Sequence, residues 1–200
     1  MAAIARISPL VVAALLIAGR SHAAAADDAA AVIERLYAAL VATATAEPAP
    51  SLDARIDALA PVVESTHDLE TMGRITVRRF WNGWDEVERE RFIDAFERLS
   101  VTTYASRFGA VGPDTFAVQG GEAVDENRVE VEAVIRRRDA EDVTMGYLLE
   151  LDAAGGWRIV NVEADGVSEL SLMRSRYFDI LDSGDLDDLI AELEAELAKL

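Results

Sequence analysis

The hydrophobic pattern of the chain changes period once, near Gly109, and that change separates two kinds of structure. Before it, apolar residues recur at helical spacing. Val32, Leu36 and Leu40, with Ile33, Tyr37 and Val41 beside them, predict a helix over residues 27–46 that Glu47-Pro48-Ala49-Pro50 ends. Leu52, Ile56 and Leu59 start a second helix that Pro61 is expected to kink or end, and residues 68–80 read as a third. Asp85 with Glu88 has the spacing of a capping box opening a long helix, whose inner stripe is Phe92, Phe96, Leu99, Tyr104 and Phe108.

After Gly109 the alternation is that of strands. Val129, Val131, Ala133 and Ile135 share one face, with Glu130, Glu132 and Arg136 on the other. Val143, Met145, Tyr147, Leu149 and Leu151 make a second such face. Ala153-Ala154-Gly155-Gly156 is a turn leading into a strand over 157–164, and a short strand near 116–118 precedes the set. Helix returns over 167–181 and again from Asp185, where Leu186, Leu189, Ile190, Leu193 and Leu197 form an amphipathic stripe. Helices, then an antiparallel meander, then helices make an α+β fold: helices covering one face of a curved sheet of about four strands, a shape able to enclose an apolar pocket.

The N-terminus alters where this domain is expected to work. Arg6, the apolar run 7–18 and the small residues around Ser21-His22-Ala23 have the three-part pattern of a secretion signal, with cleavage expected after Ala23 or as late as Ala26. The apolar run is too short for a membrane-spanning helix, which needs about 20 residues. The domain expected to remain is 27–200. The chain carries 19 Lys and Arg against 37 Asp and Glu, a net charge of −18, and loss of Arg6 and Arg20 with the signal takes it to −20. Such a charge disfavours nucleic acid and repels anionic lipid headgroups, so membrane contact is expected to be transient. The chain has no cysteine, hence no disulfide and no thiolate metal site.

Catalytic chemistry is scarce. His67 is the only histidine beyond the signal, and beside Asp68 at a helix start it reads as a surface or capping neighbour. No phosphate loop, nucleophile elbow or metalloprotease helix occurs, and no catalytic residue, metal ligand or cofactor is assigned. The acidic run 182–188 lacks calcium-loop spacing and reads as a helix cap. Glu163 is the one acid of interest, because strand alternation puts it on the face of Trp157 and Ile159; an enzyme with Glu163 or Asp165 as base in a dry pocket is the rival reading.

The runs LAPVVESTHDLETMGRITVRRFW (59–81) and ERERFIDAFERLSVTTYASRF (88–108), with Gly156 to Val162, Asp165-Gly166-Val167-Ser168 and Arg174, resemble the MlaC, or toluene-tolerance, family of periplasmic lipid-binding proteins. VSELSLMRSRY (167–177), with Leu172-Met173 before the arginine, is similar to the hopanoid-associated HpnM branch. The resemblance implies a non-enzymatic periplasmic carrier. It would shuttle a phospholipid or a hopanoid-like or sterol-like lipid between an inner-membrane ABC transporter complex and an outer-membrane partner. Each methylene shielded from water is worth about 0.8 kcal/mol, so a chain of about 16 carbons needs roughly 12 kcal/mol of cover. Facing inferred from periodicity assigns the pocket to Val131, Ile135, Tyr147, Leu149 and Ile159 on the sheet, and to Met72, Phe80, Trp81, Phe92, Phe96 and Tyr104 on the helices.

Overall fold

The computed structural model describes residues 9–113, 115–138 and 140–200, with side chains from residue 22 onward. The expected signal, 1–23, has its first eight residues outside those described. Both expected cleavage points, Ala23 and Ala26, fall inside the first helix, α1, which runs Pro9–Ala44. Among the described residues no helix is long and apolar enough to cross a membrane.

Helix α2 (Leu52–Thr66) is capped by the Ser51 hydroxyl and continues through Pro61, because Leu59 and Val63 on either side of it are both buried. The third expected helix is two: α3 (Leu69–Thr76), capped by Asp68, and the single turn α4 (Arg78–Trp81), divided at Val77. Helix α5 (Glu86–Arg107) opens on the capping box, in which the Asp85 carboxylate accepts from the Glu88 amide and the Glu88 carboxylate accepts from the Asp85 amide. Two of the orphan donors at the helix start thus have acceptors.

Five strands follow: β1 (Phe116–Ala123), β2 (Arg128–Ile135), β3 (Val143–Leu151), β4 (Trp157–Ala164) and β5 (Val167–Ser168). They lie side by side in chain order as an antiparallel sheet. The sheet therefore has five strands, not about four. The extra one is made by a two-residue turn, Asp165 (φ 50°) and Gly166 (φ 76°), which folds Val167 and Ser168 back onto β4 before helix can begin. Helix α6 accordingly runs Glu169–Ser183 with Ser168 as its cap, rather than from 167, and α7 (Leu186–Leu197) opens on an Asp185–Asp188 capping box, the role expected of that acidic run.

One register shift changes the facing of β4. Tyr147 pairs with Val162 and Leu148 with Asn161, but Leu149 pairs with Ile159, so Val160 is an extra residue in a β-bulge. Side chains alternate with period two, so one inserted residue flips everything beyond it. Trp157 and Ile159 face inward with Leu151 and Leu149, and Val162 faces inward with Tyr147. Glu163, expected on the face of Trp157 and Ile159, instead lies opposite Gly146 on the other face; a Cβ placed on Gly146 would be 3.6 Å from the Cβ of Glu163 and 3.8 Å from a carboxylate oxygen of Glu130.

The inner face of the sheet, led by Val129, Val131, Tyr147, Leu149 and Ile159, is covered by Ile33, Leu36, Tyr37 and Leu40 of α1 and by α2 and α5 in one continuous core. Helix α7 lies against α5, where Arg91 pairs with Asp187 and Arg98 with Glu194. Helices α3 and α6 pack against each other and against β4.

Candidate functional site

The eleven residues assigned to a pocket do converge. Val131, Tyr147, Leu149, Ile159, Met72, Phe92 and Phe96 are buried in the common core, and Phe80, Trp81, Tyr104 and Ile135 pack against it partly exposed. Trp81, Phe92, Phe96 and Tyr104 among them stand in two ladders with neighbouring rings. One runs Trp81, Trp84, Phe92 and Phe96 with centroid steps of 6.2, 5.5 and 6.0 Å, and Tyr177 of α6 meets Phe92 edge-on at 6.4 Å. The other links Tyr104, Phe108, Phe116 and Tyr37 at 5.9, 5.5 and 4.3 Å. Edge and offset contacts of this kind add stability beyond simple burial.

Polar atoms within this apolar interior are paired across elements. The Tyr37 and Tyr147 hydroxyls are 2.8 Å apart, joining α1 to β3. Burial pushes the Tyr37 phenol up to about 12 and holds Tyr147 well above the usual phenol range, so both stay neutral. His67 is not at the surface. It is 3% exposed, because its backbone joins the sheet: it bridges Ile159, and the Asp68 amide donates to the Ile159 carbonyl. Burial lowers its imidazole to about 4. Among the described residues, the Tyr177 hydroxyl is the one buried side-chain polar atom without a partner.

The open site reaches the sheet face opposite Tyr147 and Leu149. The bulge turns Val160 outward, where with Leu148 it floors a cleft of about 250 Å³ between β3–β4 and the α3–α6 pair. Ile75 and Leu170 supply apolar walls, and Thr71, Asn161, Ser168, Ser171 and Arg174 the polar rim, with Glu150 at one end. The Ser168 hydroxyl donates to Asn161 Oδ1 at 2.8 Å while Asn161 Nδ2 donates to Glu163 at 3.2 Å, which fixes the edge of the cleft at the β5–α6 junction. Ligand pockets commonly measure roughly 300–1,000 Å³, so this cleft accommodates part of a lipid as it stands. A larger hollow of about 560 Å³ at the β2 and β4 hairpin ends, bordered by Asp125, Arg128, Asp152 and Gly155, is polar and wide open, and offers nothing for an acyl chain.

None of the eleven assigned residues lines the cleft. Alternation along β3 already puts Leu148 on the face opposite Tyr147, but Val160 reaches that face only through the bulge. The cleft was missed for that reason, whereas Asp165-Gly166, an ordinary hairpin turn pair, carried a readable sign of the fifth strand beside it.

Comparison with known proteins extends these observations. No curated protein matches the chain in sequence. Among solved structures, the chain is similar to the phospholipid-binding protein from Ralstonia solanacearum, determined in complex with a phospholipid. The two are 21% identical, with a TM-score of 0.75 over 86% of this chain and 98% of that one, a likeness of fold. The model of the family described as MlaC protein matches residues 31–195, from the middle of α1 almost to the end of α7. The chain therefore belongs to the MlaC family.

Proposed function

We propose that the protein is a lipid carrier of the bacterial periplasm. It holds a phospholipid, or a hopanoid-like or sterol-like lipid as the HpnM-like run at 167–177 suggests, while the lipid passes between an inner-membrane ABC transporter complex and an outer-membrane partner. The observation that carries this reading is the cleft between α3, α6 and the sheet, where apolar Ile75, Leu148, Val160 and Leu170 share the lining with hydroxyl, amide and guanidinium groups, the two chemistries of an amphiphile. Family membership and the likeness to a phospholipid-bound protein of the same fold support it.

At about 250 Å³ the cleft is too small for two acyl chains, so loading needs α3 and α6 to part. Parting them opens a route toward Met72 on α3 and Tyr177 on α6, both core residues, and toward Phe92, which Tyr177 touches. Met72 and Phe92, two of the residues predicted from periodicity, would then border the inner end of the path.

The rival enzyme reading required Glu163 beside the aromatic core. The bulge places its carboxylate on the other face, hydrogen-bonded by Asn161, away from that core. The decisive experiment is native mass spectrometry with lipid extraction on protein purified from its host's periplasm. A stoichiometric co-purifying lipid is expected. Absence of any lipid, together with failure to take up labelled phospholipid or hopanoid from vesicles, would sink the carrier reading.

A further inference from the structure

Four arginines among the described residues are half-buried: Arg55, Arg89, Arg158 and Arg174. Three are fully engaged. Arg55 donates to the Ala105 and Pro50 carbonyls, Arg89 donates to the Trp81 carbonyl and lies over its ring, and Arg158 pairs with Asp152 and donates to the Glu64 and Ser65 carbonyls. Among the described residues Arg174 has no hydrogen bond, ion pair or ring contact, although acids outnumber bases 37 to 19 in this chain. A guanidinium withdrawn from water without a partner is costly unless something else supplies the acceptor.

Its position says what that acceptor is. Arg174 is one turn after Leu170 on α6, so the two share a helix face at the rim of the cleft, with Ser171 beside them. The cleft lies at the start of α6, where the helix dipole also favours negative charge. The one carboxylate bordering the cleft, Glu150, stands in register between Arg128 of β2 and Arg158 of β4, so its charge faces cations of its own.

Resting on the carrier reading above, we propose that Arg174 and the Ser171 hydroxyl form a subsite for the phosphate of a lipid headgroup, the chains lying on Leu148 and Val160. Phosphate presents the oxygens a guanidinium fork matches. A neutral polycyclic lipid would leave Arg174 as unpartnered as it is now, so this assigns the cargo to the phosphate-bearing class. Free inorganic phosphate shares the headgroup chemistry but brings nothing for the apolar floor.

The test titrates lipid-stripped protein with dihexanoylphosphatidate, with dihexanoylglycerol, which has the same chains and no phosphate, and with inorganic phosphate alone, by calorimetry. The wild type is expected to prefer the phosphatidate by about tenfold or more, the effect of a charge-assisted hydrogen bond. Arg174→Gln should abolish that preference while leaving the glycerol lipid within about twofold, and Arg174→Lys should restore part of it. Arg35→Gln, the same charge change on the exposed side of α1, should alter nothing. Equal loss of both lipids in Arg174→Gln would show a structural role and overturn the subsite. No preference in the wild type would overturn it while leaving the carrier reading intact. Binding of inorganic phosphate with neither lipid bound would reassign the site to a soluble anion, overturning the headgroup assignment and the carrier reading together.

Discussion

Nε2 of His67 lies 2.9 Å from the Tyr104 hydroxyl, which joins the end of α2 to the last turn of α5 inside the core. Nδ1 of the same ring is 3.1 Å from the Val63 carbonyl, which only accepts, so Nδ1 carries the proton and the Tyr104 hydroxyl donates to Nε2. The ring is neutral and fully used.

Acid should therefore weaken the fold through His67. Its folded value, about 4, lies below the ordinary 6.5, so between these the unfolded chain binds the extra proton. The His67 contribution is intact above pH 6.5 and lost progressively as pH falls toward 4, by up to about 3 kcal/mol at 1.36 kcal/mol per pH unit. Urea titrations between pH 7.5 and 4.5 should show a shallower decline for His67→Gln than for the wild type; parallel declines would rule the histidine out as the source.

The Tyr37–Tyr147 pair should show strong coupling. Tyr147→Phe strands the buried Tyr37 hydroxyl at a cost of about 1–3 kcal/mol, and Tyr37→Phe does the reverse. The double variant, which leaves neither hydroxyl behind, should cost less than the two singles added together. A denaturation-based double-mutant cycle measures this, and strict additivity would mean that the contact contributes nothing.

Gly73 is where α3 meets α5. A Cβ there would lie 2.8 Å from Cδ1 of Ile93 and 3.3 Å from ring atoms of Phe92 and Phe96, and both phenylalanine rings are buried with no room to retreat. Gly73→Ala should destabilise by about 1–3 kcal/mol through overpacking, lowering the melting temperature. An unchanged melt would mean that α3 sits less tightly on α5 than described.

Lipid retention should follow the floor of the cleft. Leu148→Gln puts an amide where a chain would rest and should reduce uptake of labelled lipid from vesicles several-fold, about the effect of losing one good apolar contact of 1–2 kcal/mol. Val134→Gln, on the same face of β2 but outside the cleft, serves as control and should bind normally. Equal uptake by all three proteins would place the lipid elsewhere.

Glu163→Gln keeps an oxygen for the Asn161 amide while removing the charge. Lipid uptake should stay within about twofold of the wild type, since the hydrogen bond that shapes the cleft edge survives. A large loss would mean that the carboxylate itself takes part.

Periodicity was enough for most of the architecture. The apolar stripes of α1, α5 and α7, the capping pairs Asp85–Glu88 and Asp185–Asp188, and the alternating faces of β2 and β3 are local features, each determined by residues a few positions apart. So is the convergence of the eleven apolar side chains, since a stripe on a helix and a face of a strand have one core to share. His67 lay beyond such reasoning. A residue beside a helix cap reads as exposed, and only the bridge to Ile159, over ninety positions away, draws it under the core.

The cleft belongs wholly to the tertiary structure. One unpaired residue, Val160, turns β4 over, sending Glu163 to the outer face and giving the cleft its floor. Whether a strand holds such a bulge depends on the partner it zips against, and β4 has the Leu148–Leu149 step of β3 on one side and the turn into β5 on the other. The sequence alone determined which side chains are apolar and how often they recur. Which of them meet around Arg174 was decided by strand register, a property of two chains of residues in contact rather than of either one.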